Sequence, residues 1–227
     1  MGWYGIARGC VDMLEIRNLT LMRGDLPLVV NLSLTVHQGE IVTIAGESGS
    51  GKSTLLNWLV GALDPAFSAT GELWLNGVRC DARPVEARHI GILFQDDLLF
   101  PHLSVGQNLA FALPQQIKGA NNRRQTIERT LAEVGLDGFH DRDPATLSGG
   151  QRARVSLMRT LLAQPQALLL DEPFSRLDTA LRAQFRAFVF AQIHRQGMPT
   201  LLVTHDNADI PPGGRVVGLR DRQHHDV

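Results

Sequence analysis

The sequence predicts an α/β protein with a mostly parallel core, an antiparallel β flank and an inserted helical lobe. Three observations carry this. Short apolar runs of buried-strand type alternate with helix-period segments between residues 40 and 203, an order that builds a parallel sheet. Alternating or β-branched segments crowd the early part of the chain, which suggests strands paired antiparallel. The stretch from about Asp97 to Gly150 carries helical patterns instead.

Taken in order, Leu14–Leu19 and Leu28–Val36 read as flank strands, and Glu40–Ala45 (EIVTIA) as a buried strand. A glycine-rich loop follows, then a helix over Lys52–Leu63. Glu72–Val78 returns to the flank and Ile90–Phe94 (IGILF) to the core. Gln125–Val134 places Ile127, Leu131 and Val134 on one helix face, and Gln151–Ala163 is a further helix. Ala167–Leu170 (ALLL) is a core strand. Thr179–Gln196 is amphipathic, with Leu181, Phe185, Phe188 and Val189, and Thr200–Val203 is the last core strand.

The chain has 227 residues, 44% hydrophobic and 20% charged, which excludes global disorder. Its net charge of -1 argues against a nucleic-acid binder driven by bulk positive charge. No apolar stretch approaches the ~20 residues of a membrane span. Two cysteines, Cys10 and Cys80, make neither a disulfide framework nor a zinc cluster, so a reducing compartment is expected. Residues 1–12 (MGWYGIARGCVD) lack the apolar core of a signal peptide. Two readings of them stand open: the protein starts at Met13, or they form a short tail. The expected organisation is an N-terminal extension over 1–12, one domain over 13–220 with a helical subdomain at about 97–150, and a tail over 221–227.

Gly46-Glu47-Ser48-Gly49-Ser50-Gly51-Lys52-Ser53 matches GxxxxGK[ST], between a buried strand and a helix. Glycines let backbone N–H groups turn inward at a helix N-terminus, where anions are stabilised. Lys52 is expected to reach the β- and γ-phosphates and the Ser53 hydroxyl to ligate Mg²⁺, with Thr54 completing the site. Leu168-Leu169-Leu170-Asp171-Glu172 ends a buried strand in two carboxylates. Asp171 suits Mg²⁺, and Glu172 could take a proton from an attacking water. Leu147-Ser148-Gly149-Gly150-Gln151 precedes a helix and offers a second anion site, which one-site phosphate-loop enzymes do not need.

With these motifs the chain resembles the ATP-binding cassette (ABC) ATPases, P-loop NTPases with a RecA-like parallel core, over Leu14 to Leu219. Gln95 in Ile92-Leu93-Phe94-Gln95 matches the family's Q-loop, Ser175-Arg176-Leu177-Asp178 its D-loop, and Val203-Thr204-His205-Asp206 its switch histidine. Blocks such as GELWLNG (71–77), GILFQD (91–96) and Phe174-Ser175-Arg176 look like the YnjD-type bacterial transporter ATPases. The resemblance implies that two copies trap two ATP head to tail. Each nucleotide would lie between one copy's phosphate loop and the other's Ser148-Gly149-Gly150-Gln151. Glu172 would polarise the water and His205 would contact the γ-phosphate. Gln95 would sense Mg²⁺ and water and connect the site to the membrane partner, and Asp178 would support the opposite subunit. It also implies integral-membrane permease subunits, indirectly a solute-binding protein, no nucleic acid, and a place on the cytoplasmic face of the cell membrane.

Three departures from the family pattern stand out. Arg23 occupies the position where the family stacks an aromatic on adenine, so weaker discrimination of ATP from GTP is expected. Ile210-Pro211-Pro212-Gly213-Gly214 compromises the usual helix after the switch histidine. The 22 residues after His205 leave no room for the regulatory domain some importer ATPases carry. Phe94–Leu113 resembles the importer segment that receives a permease helix, with Leu98, Leu99, Phe100 and Leu103 as candidate docking residues, so import is expected over export. The rivals are a cassette ATPase not tied to transport and a nucleotide-binding regulator without turnover. Glu172 and His205 argue against the second, and the transported substrate is not encoded in this chain.

Overall fold

The computed structural model describes residues 13–47 and 49–219. The expectations for residues 1–12, Ser48 and 220–227 therefore lie outside the described residues. The described residues form two compact units, one from residues 13–90, 166–171 and 192–219, the other from residues 91–165 and 172–191.

The first unit holds two sheets. Strands β1 (Met13–Arg23), β2 (Leu26–His37), β4 (Phe67–Leu75) and β5 (Val78–Arg79) form an antiparallel sheet in the order β2-β1-β4-β5. β1 runs four residues beyond the expected Leu19. Its buried positions are Leu14 and Ile16, then Leu19 and Leu21, so the alternation slips by one. The slip falls where pairing to β2 shifts register between Ile16 and Leu19, with Asn18 left-handed at φ 51. Such a bulge re-aims the side chains and lets the strand continue. Gly71 of β4 (φ 132) lies against this bulge, where a Cβ would sit 2.7 Å from the Leu19 Cα. The strand expected over Glu72–Val78 is two strands. Asn76 (φ 52) and Gly77 (φ 75) turn the chain, and Leu75 then pairs with Val78. Both turn residues need positive φ, which Asn-Gly supplies.

In the second sheet of this unit β3 (Ile41–Ala45), β7 (Ala167–Asp171), β8 (Thr200–Val203) and β9 (Arg215–Gly218) lie parallel, in the order β7-β8-β3-β9. β7 and β8 are buried almost throughout, which is why they read as continuous apolar runs. β9 (RVVG) lacks that signature and was not anticipated. Helix α1 (Lys52–Val60) follows β3. It stops short of the expected Leu63 because Gly61 takes φ 89 and donates to the carbonyls of Asn57 and Trp58. Short helix α2 (Val85–Arg88) brings a buried guanidinium to the same end. Arg88 donates to the carbonyls of Trp58, Leu59, Arg83 and Asp81.

The second unit begins as β6 (Ile90–Leu93) enters it and is otherwise helical: α3 (Val105–Ala110), α4 (Ala120–Glu133), α5 (Gly149–Leu162) and most of α6 (Thr179–Gln196). Its buried residues include Leu109, Ile127, Leu131, Val134 and Val155. Asn108 is fully buried and hydrogen-bonds the backbone of Phe100, Leu103 and Ser104, which fixes the loop before α3. Phe174 packs edge-on against Phe185 and Phe190, each 6.0 Å away.

Candidate functional site

In the first unit the site grows from the carboxyl edge of the parallel sheet. Ile44 pairs with Val203, and Val203 with Asp171. The loop leaving β3, Asp171 at the end of β7, and Thr204-His205 just past β8 therefore share one sheet edge. That edge is where open α/β sheets take ligands. Gly49 (φ 88) and Gly51 (φ 90) hold the left-handed turns that aim the loop, and Gly51 caps α1. Among the described residues no side chain caps the first turn of α1, which leaves its N–H groups as candidate anion donors. A Cβ on Gly46 would lie 2.4 Å from Ser50 Oγ, so only glycine fits there. Ser50 is 2% exposed, and its Oγ has no hydrogen-bond partner among the described residues. Lys52 Nζ curls over the loop and donates to Gly46 O (2.7 Å) and Glu47 O (2.6 Å). Ser53 is exposed, Thr54 and Asp171 are half-buried, and the His205 side chain is exposed.

Arg23 also belongs to this unit. It pairs with Phe67 across β1 and β4, and its guanidinium lies 5.9 Å from that ring's centroid. The Cβ position of Gly51 lies 3.3 Å from Leu28 of β2, so the phosphate loop abuts the antiparallel sheet. The sequence shows no aromatic between Met13 and Lys52; the fold brings one to Arg23 from β4.

In the second unit Gln95, Gly149, Arg176 and Leu177 line one cavity, so the Q-loop, the serine-glycine motif and the D-loop converge. Ser148 caps α5: its Oγ accepts from Gln151 N (3.3 Å), while Gln151 Oε1 accepts from Ser148 N (2.9 Å). The hydroxyl proton stays available to a ligand. Gly150 is pressed against Leu181, where a Cβ would lie 2.6 Å from its methyls. Asp178 Oδ1 accepts from Leu181 N at the start of α6 (3.1 Å). Glu172 is held at φ 47, and its carbonyl accepts from Ser175 Oγ (2.9 Å) and Ser175 N (3.3 Å). A non-glycine residue at positive φ stores strain of a kind that clusters at functional sites.

Several residues here escape sequence reasoning. Asp96 forms an ion pair with Arg176, and Asp97 pairs with Arg152 at 2.9 Å, so both acids beside Gln95 are tied to neighbouring motifs. A separate apolar groove is lined by Phe94, Leu98, Phe100 and Phe111, with Arg159 beneath. Phe111 is 75% exposed and Leu98 53%, whereas Leu99, Phe100 and Leu103 are partly covered. Leu98 itself sits at φ 46, pinned by Arg159, which donates to Leu98 O (2.8 Å) and Asp97 O (3.1 Å). The apolar density of Phe94–Leu113 is the sequence signal for this groove. It does not tell which side chains stay exposed.

The family profile described as ABC transporter matches residues 29–175. The chain belongs to the ABC transporter family. This ABC protein is an ATP-binding subunit of a family that hydrolyses ATP. It is 54% identical over 207 residues to the uncharacterized ABC transporter ATP-binding protein YnjD of Escherichia coli K12, covering 91% of this chain and 95% of that one. It is 42% identical over 198 residues to the thiamine import ATP-binding protein ThiQ of Haemophilus influenzae, covering 87% and 90% of the two chains. The Fe(3+) ions import ATP-binding protein FbpC 1 of Haemophilus influenzae is 38% identical over 198 residues, 87% of this ABC chain and 60% of its own. Among the described residues no helix is long and apolar enough to cross a membrane.

Proposed function

We propose that this ABC ATPase hydrolyses Mg²⁺-ATP as a head-to-tail homodimer and energises solute import through a separate membrane permease. The observation that carries the reading is the shared sheet edge bearing the phosphate loop, Asp171 and His205. In this reading residues 46–54 cradle the phosphates. Lys52 exchanges its loop carbonyls for β- and γ-phosphate oxygens.

The donor set suits Mg²⁺. No cluster of three or more His, Cys, Asp or Glu able to hold a metal occurs among the described residues. A cation here would take few protein oxygens, from Ser53, Asp171 and Gln95, and complete its shell with water and phosphate. When bound, the ion neutralises phosphate charge. Glu172 accepts a proton from the attacking water as that oxygen bonds the γ-phosphorus and the bond to ADP breaks. His205 contacts the γ-phosphate.

Each chain carries one phosphate loop and one Ser148-Gly149-Gly150-Gln151, so a complete site draws on two copies. Import rests on the printed functions of the thiamine and iron relatives. The Phe94–Phe111 groove supplies an apolar seat for a permease helix, and the strained, exposed Leu98 supports that use. Association with the cytoplasmic face of the membrane would follow from that contact. The test is ATP binding and turnover by wild type, Lys52→Ala and Asp171→Asn. The reading expects both variants to lose turnover; either retaining wild-type rates would contradict it.

A further inference from the structure

The segment after β8 ties itself into a polar knot around His205. Thr204 is 6% exposed and Asp209 1% exposed. The Thr204 hydroxyl accepts from Asp206 N (3.1 Å) and donates to Asp209 Oδ2 (3.1 Å). Asp209 N donates to Asp206 O (3.0 Å), and Asp206 Oδ1 accepts from Ala208 N (2.8 Å). His205 thus lies between two residues joined by one hydroxyl, directly past Val203, which is locked into the sheet.

Among the described residues the only helical turn that follows is a single 3-10 turn, Asn207–Asp209. Pro211, Pro212, Gly213 and Gly214 forbid a helix, so the loop cannot be steadied by one. A buried carboxylate is unfavourable unless it is hydrogen-bonded. Here its hydrogen bond closes the loop that presents the histidine.

We propose that Asp209, acting through the Thr204 hydroxyl, is a positioning residue that fixes the His205 loop for hydrolysis. The proposal rests on the assignment of His205 as a catalytic group. Loosening the knot leaves the phosphate loop and Asp171 in place, so ATP still binds but the histidine is misplaced. A misplacement near 1 Å lowers rate by roughly 100-fold.

The experiment measures single-turnover hydrolysis, KM for ATP and thermal stability on the full chain for Thr204→Val, Asp209→Ala, Asp209→Asn, His205→Ala and the double variant His205→Ala/Asp209→Ala. Thr204→Val and Asp209→Ala are expected to lower kcat roughly 10- to 100-fold with KM unchanged. Asp209→Asn keeps an oxygen to accept from Thr204 and is expected to recover most of the rate. In the His205→Ala background, removing Asp209 is expected to cause no further loss, because the two act as a unit. An equal fold-loss with and without His205, or a KM that rises in step with lost stability, would overturn the proposal. Wild-type turnover by His205→Ala alone would instead overturn the catalytic assignment on which it rests.

Discussion

Arg88 closes the far end of the helix that carries the phosphate loop. Its side chain is 6% exposed and donates to four carbonyls. Two of them, Trp58 O (2.6 Å) and Leu59 O (3.1 Å), belong to the last turn of α1, where the dipole favours a cation. Arg88→Met keeps the apolar stem and removes every donor. Trp58 O keeps its bond from Gly61 N (3.1 Å), so three carbonyls lose their donor, at about 1 kcal/mol each, or about 3 kcal/mol in all. Burial holds the guanidinium below its ordinary pKa, so the cation is desolvated, and its removal returns part of that sum. The net expectation is a loss of about 2 kcal/mol. Arg88→Lys is expected to lose nearly as much, because an ammonium cannot reach four acceptors spread around a planar fork. Urea unfolding followed by tryptophan fluorescence measures this, since Trp58 sits at the clamp. A loss below about 0.5 kcal/mol, the range of a surface substitution, would refute the reasoning.

Four more outcomes are expected. Gly71→Ala should destabilise by roughly 2 kcal/mol in the same urea assay, because its Cβ would meet the Leu19 backbone at 2.7 Å while φ stays at 132. Glu172→Gly should gain about 1 kcal/mol of stability by releasing the left-handed strain, while turnover falls at least about 100-fold; calorimetry and phosphate release read the two separately. Arg23→Ala and Phe67→Ala should each weaken ATP binding but leave tripolyphosphate binding intact, and wild type should bind GTP within about tenfold of ATP if the cation–aromatic pair holds the base by stacking. Phe111→Asp and Leu98→Asp should abolish capture of the permease without lowering ATP binding. These are sharper probes than Leu99 or Phe100, which are partly covered.

Much of the core was legible because burial writes itself as composition. ALLL and TLLV read as strands since nearly every position in β7 and β8 is inside. The helix over Thr179–Gln196 matched to the residue, as its period carries across the whole segment. The flank was less legible, because alternation breaks at the Asn18 bulge and Asn76-Gly77 splits one apparent strand. β9 was invisible: RVVG is too short and too exposed to stand out. The phosphate loop, the Asp171-Glu172 pair and His205 could be named from motif order alone. The sheet edge shared by the loop, Asp171 and His205, the left-handed Glu172 and the Arg88 clamp could not, because each depends on backbone pairing, backbone conformation or carbonyls distant in sequence.

The most direct test of the account measures ATP hydrolysis and oligomeric state together, for wild type and Glu172→Gln, with Mg²⁺ and ATP. The account predicts that wild type turns over, while Glu172→Gln binds ATP, stays inactive and accumulates as a dimer. A Glu172→Gln protein that hydrolyses ATP at the wild-type rate, or that binds ATP and remains monomeric, would contradict it.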